Sequence, residues 1–161
     1  MIGVSLLVLG FGLLFPGASP AQTPAISPPV SQRSLLDAGH EAFGRGAFEQ
    51  AAEIWTQAVQ EAHDAGQAVK EHEARVALAR ALLSLGFHAR AAQHLDLAMA
   101  LPREVQDRSR QAAAMEWLGH AYLAGGQSDA AIETLQSARQ LADEAGDQTR
   151  VASIIHSLGA V

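Results

Sequence analysis

The sequence predicts an all-α fold, a solenoid of about three and a half helix-turn-helix repeats on a 40-residue period. Three observations point there. Of 161 residues 48% are apolar but only 5% aromatic, and Ala, Leu, Gln, Glu and Arg dominate while β-branched residues are sparse, a composition that favours helix. Gly46, Gly86 and Gly126 recur at one interval, each closing an apolar helical stretch and preceding another, as the turn of a helix hairpin requires. Small and large residues then alternate in the same phase after each glycine: Ala51, Ala91 and Ala131, then Trp55, Leu95 and Leu135, then Ala58, Ala98 and Ala138.

Taken from the N-terminus, residues 2–15 (IGVSLLVLGFGLLF) form an uncharged apolar run, shorter than the roughly 20 residues of a spanning helix. It reads as the core of a signal peptide over residues 1–21, with Ser19 and Ala21 as the small-x-small signal for cleavage after Ala21. No Lys or Arg precedes the run, and a retained N-terminal anchor is the alternative. A signal peptide makes the chain an exported, periplasmic or extracellular protein. Residues 22–33 contain three prolines in QTPAISPPVS and read as an extended linker.

Residues 34–161 hold the repeats, at about 32–66, 67–103 and 104–146, with a partial copy at 147–161. Helices are expected near 34–45, 48–65, 68–85, 88–101, 104–124, 128–145 and 148–160. The first helix of each pair is marked by Ala38, Gly39 and Ala42, by Leu78, Ala79 and Leu82, and by Leu118, Gly119 and Tyr122. The second is marked by the Ala-large-Ala series above. Two helices approach closely only where small side chains face each other, so Gly and Ala set the spacing while Trp55, Leu82, Leu95, Tyr122 and Leu135 fill the gaps. Each large side chain removed from water contributes about 1.5–3 kcal/mol. Ala65-Gly66 and Ala145-Gly146 join successive pairs. The last helix, with Val151, Ile154, Ile155 and Leu158, restarts the pattern: Leu158-Gly159 falls forty residues after Leu118-Gly119. It lacks the polar outer face of a terminal cap, so a truncated array is expected, with a true cap as the alternative.

This pattern resembles the tetratricopeptide repeat, whose order of Leu-Gly, a large or aromatic residue, Gly, Ala, large and Ala is matched three times. The third copy is the fullest match. The second has Ala79 where glycine is common, the first has Ala42 where an aromatic is common, and none carries the closing proline in its usual place, Pro102 falling one residue early. The wording of the first copy, AGHEAFGRGAFEQAAEIWTQAV, is also similar to the front of an exported bacterial family in which repeats precede a caspase-like CHAT domain. That second resemblance implies a sensing or regulatory repeat region whose catalytic part is missing, because such a centre needs a cysteine and the chain has none.

The tetratricopeptide resemblance implies a concave groove lined by the first helices of each pair. The residues one place after the Gly or Ala of each copy, His40, Arg80 and His120, would face it, joined a helical turn away by Leu36, Phe43, Glu73, Val76, Leu83, Glu116, Leu123 and His156. Such a mixture of apolar and charged side chains suits a peptide or helix of a partner protein. A Lys and Asn clamp around a terminal carboxylate is excluded, since the chain has no Asn and Lys70, its only lysine, lies outside the groove set. Protonation of His40 and His120 below pH about 6.5 would make the groove cationic.

Other chemistries lack their residues. The net charge of −6 and the interspersed arginines give no basic patch for nucleic acid. Without cysteine there is no thiolate ligand or nucleophile, and the seven histidines form no HExxH or comparable spacing, so no metal or cofactor is expected. No paired carboxylate or nucleophile-base spacing supports an enzyme. Trp55 and Trp117 read as packing residues. Beyond the signal peptide no membrane contact is expected.

Overall fold

Five of the helix-helix connections are only three residues long, and each turns on a glycine with positive φ: Gly46, Gly66, Gly86, Gly126 and Gly146. The computed structural model describes residues 34–101 and 107–160, and the chain in these stretches forms seven α-helices and no strand. They are α1 (Leu35–Gly44), α2 (Phe48–Asp64), α3 (Ala68–Ser84), α4 (His88–Met99), α5 (Arg108–Ala124), α6 (Ser128–Glu144) and α7 (Gln148–Leu158). The expected signal peptide, the proline-rich linker and Pro102 lie outside the described residues. None of the described helices is long and apolar enough to cross a membrane.

The turns share one hydrogen-bond pattern. At the end of α1 the Gly46 N–H donates to the Phe43 carbonyl at 2.9 Å and the Ala47 N–H to the Ala42 carbonyl at 3.0 Å, and the same pair of bonds closes α2, α3, α5 and α6. This is the Schellman arrangement, which needs a residue in the left-handed region, where glycine carries no Cβ penalty. Helix starts divide differently. Ser34, Asp107 and Asp147 accept from the backbone N–H three residues on and so cap α1, α5 and α7, whereas α2, α3, α4 and α6 begin straight from a turn without a side-chain cap. The Asp107 cap explains why α5 begins at Arg108 and not near 104.

Each helix packs on its neighbours in sequence, and α1 touches α3, α3 touches α5 and α5 touches α7. The described residues belong to one compact unit. The even helices bury a single stripe, such as Ala51, Trp55, Ala58 and Ala62 in α2. Helices α3 and α5 are covered on more than one side, so Ala74, Ala77, Leu78, Ala79, Ala81 and Leu82 of α3 are all buried. Trp55, Leu95 and Leu135 are fully buried, with Ala51, Ala91 and Ala131 beside them in phase. The core forms two clusters, one around Trp55, Leu78, Leu82, Leu95 and Leu118, and one around Leu135, Ala138, Ala142 and Ile154.

Gly39 and Gly119 hold the closest approaches. An ideal Cβ on Gly39 would lie 2.2 Å from Trp55 Nε1, and one on Gly119 would lie 2.6 Å from Leu135 Cγ. Gly119→Ala is therefore expected to lower stability by about 1 kcal/mol, the balance of overpacking and the better helix propensity of alanine. Urea unfolding measures this. A variant as stable as the parent would mean that Leu135 moves aside at no cost.

Candidate functional site

Helices α1, α3 and α5 together line an open depression of about 410 Å³. Leu36, Asp37 and His40 come from α1, His72, Glu73, Val76, Ala77 and Arg80 from α3, and Arg110 and Ala113 from α5. Five of the eleven residues expected in the groove thus meet in one place: Leu36, His40, Glu73, Val76 and Arg80. A hollow of about 810 Å³ between α6 and α7, and one of about 450 Å³ beside Phe87 and Tyr122, hold none of the expected groove residues.

Phe43 borders the depression through Arg80. The guanidinium carbon of Arg80 stands 5.1 Å from the centroid of the Phe43 ring and 5.1 Å from that of Trp117. Phe43 also meets Phe48 at 5.1 Å and Trp55 at 5.7 Å, and the His40 ring meets Trp55 edge-on at 5.2 Å. Trp117 thereby combines packing with a contact to a groove cation. Nearby, Arg110 is held by Asp107, its cap residue.

The remaining expected residues go elsewhere. Leu83 and Leu123 pack, partly buried, on the two core clusters. Glu116 and His120, expected on an open groove surface, are instead covered by α7. Glu116 is 6% exposed, accepts from Arg150 Nη1 at 2.7 Å and from the Ser153 hydroxyl at 2.6 Å, while His120 Nε2 lies 3.5 Å from the Ser157 hydroxyl. Asp147 extends the seam, bonding Arg150 and Ser109. His156 lies on α7 and is exposed.

Sequence reasoning missed Glu71. Its carboxylate, 5% exposed, accepts from Arg75 Nε and Nη2 at 2.8 and 2.6 Å and lies 3.2 Å from His63 Nδ1. The i,i+4 order of Glu71 and Arg75 was a visible signal, but that spacing marks exposed helix pairs as often as buried ones. Among the described residues no group of three or more potential ligands is placed to hold a metal ion.

Burial pushes three histidines below their ordinary pKa. For His72 desolvation acts with the Arg110 charge, against Glu73 and Asp107; for His94 it acts with Arg75 and Arg90; for His120 it acts against Glu116. His120 therefore takes up its proton at a more acid pH than a free histidine. These groups bind fewer protons folded than unfolded, so their stabilisation is present above about pH 6.5 and is lost as pH falls toward their folded pKa values. The melting temperature is expected to drop between pH 7.5 and 5, and His72→Gln to flatten that drop; an unchanged slope would remove His72 as a contributor. Asp147 acts lower on the scale. The Arg150 backbone N–H, then the Arg150 charge and the Ser109 hydroxyl, hold its pKa down against desolvation, so its contribution is lost only as pH falls through the carboxylate range.

No protein-family model matches the chain, and no curated protein matches its sequence, so the residues of the depression carry the functional reading by themselves.

Proposed function

We propose that this chain is a non-enzymatic, exported scaffold of tetratricopeptide-like helix pairs that binds a peptide or helix of a partner protein on the face formed by α1, α3 and α5. The observation that carries this reading is the open depression where His40, Glu73, Val76 and Arg80 converge. An open hollow with an apolar floor and a few charged groups suits a peptide, because apolar contacts hold the chain and charged hydrogen bonds set its register. The in-phase series Gly39, Ala79, Gly119 opposite Trp55, Leu95, Leu135 supports the repeat assignment.

Panning a displayed random-peptide library on the full chain tests the reading. Selected peptides are expected to lose binding on Val76→Arg and to keep it on Leu97→Ser, which alters an exposed residue of α4. Binders lost on Leu97→Ser and indifferent to Val76→Arg would place the binding surface elsewhere.

A further inference from the structure

We propose that Arg80 and Glu73 are the two poles of a dipolar subsite, selecting a peptide that carries a carboxylate side chain and, three residues along, a basic one. This rests on the groove reading above and names the chemistry of its ligand.

Arg80 is set up unlike the paired arginines of the fold. Arg45, Arg75, Arg108, Arg110 and Arg150 each hold a carboxylate, whereas no carboxylate of the described residues lies within 4 Å of Arg80. Its Nε is buried without a hydrogen-bond partner. Phe43 and Trp117 stand at equal distance from its guanidinium carbon, so two aromatic rings flank the cation without supplying an acceptor in its plane. The edge of the guanidinium carries the in-plane N–H donors, and a carboxylate is the acceptor whose two oxygens match that fork. The rings also hold the fork in place, so little side-chain entropy remains to be lost on binding.

Glu73 supplies the opposite charge. It is exposed, lines the same depression, and has no cation within 4 Å among the described residues. Seven residues separate it from Arg80, about 10 Å along a helix axis, which a peptide in the polyproline II conformation covers in about three residues, one full turn that returns both side chains to the same face. Val76 and Ala77 lie between the poles and offer an apolar floor for the side chains in between. A terminal carboxylate would satisfy Arg80 alone, whereas an internal acidic residue followed by a basic one satisfies both poles with one segment.

The test uses the full chain and four synthetic probes. Three are acetylated and amidated octapeptides: Gly-Ser-Glu-Ala-Ala-Lys-Gly-Ser, the same peptide with Gln for both charged residues, and one with Glu and Lys adjacent. The fourth carries no internal acid but a free C-terminus. The first probe is expected to bind about tenfold or more tighter than the others, the size of one charge-assisted pair. Arg80→Gln and Glu73→Gln should each shrink the advantage of the first probe over the peptide with Gln at both positions, and Arg80→Lys, which keeps charge without the fork, should retain more of it. Circular dichroism melts establish that each variant is folded. An unchanged ranking on Arg80→Gln, or equal binding of the free C-terminus probe, overturns the inference. Library peptides that map to this face but lack the charged pair overturn it and leave the groove reading standing; a library that yields no binder overturns both.

Discussion

Trp55→Ala is expected to destabilise the protein by about 3–5 kcal/mol, more than any other single substitution proposed for this chain. The side chain is fully buried, fits against the bare backbone of Gly39, and donates from Nε1 to the Leu36 carbonyl at 3.3 Å. It also carries His40 and Phe43 on its ring. Truncation leaves a cavity that α1 cannot collapse into without giving up these contacts, and it strands a ring on the Arg80 stack. The loss should appear in urea unfolding as a lower midpoint at an unchanged slope. A change below about 1 kcal/mol would mean that α1 is not docked through Trp55 at all.

Arg150→Ala should cost about 2–3 kcal/mol, and the damage should be local. Glu116 is nearly closed off from water and relies on Arg150 for its only counter-charge within 4 Å among the described residues. Leaving a buried carboxylate unpaired typically costs about 3–5 kcal/mol. The figure is smaller for Glu116 because Arg150 keeps some solvent access and the Ser153 hydroxyl still donates to the carboxylate. Helix α7 is short and sits at the end of the described helices, so the cost falls on its docking rather than on the α2 to α4 core. Hydrogen exchange should rise across Gln148–Leu158 and stay unchanged across Phe48–Asp64. Equal acceleration in both helices would show that the seam is part of one cooperative unit. Glu116→Gln with Arg150→Ala should recover part of the loss, since the uncompensated charge is then gone.

Much of the architecture was legible because helices are written in short spacings. Five glycines at turn positions and the recurring small and large residues placed the seven helices to within a few residues, and Trp55, Leu95 and Leu135 were recognised as the buried anchors from phase alone. The largest departure has a local cause: Asp107 caps α5, which begins four residues after its expected start.

The candidate site was less legible. His40, Glu73, Val76 and Arg80 could be picked out by stepping one place and one turn from the small-residue positions, since that only requires knowing which side of a helix faces outward. The fate of Glu116 and His120 depended on whether a later helix would cross them, and nothing at their own positions in α5 records the presence of Arg150, Ser153 and Ser157. Arg80 shows the same division. Its charge and its side of α3 follow from the chain, but Phe43 and Trp117 each stand 37 residues away, off the 40-residue phase. Their rings reach it diagonally from the neighbouring helices. Helical content, turn positions and the packing phase are thus properties of neighbouring residues along the chain, where a 3.6-residue period is enough. Which polar groups are covered and which stay open was decided by helix-on-helix packing, because burial is set by what lies across the interface.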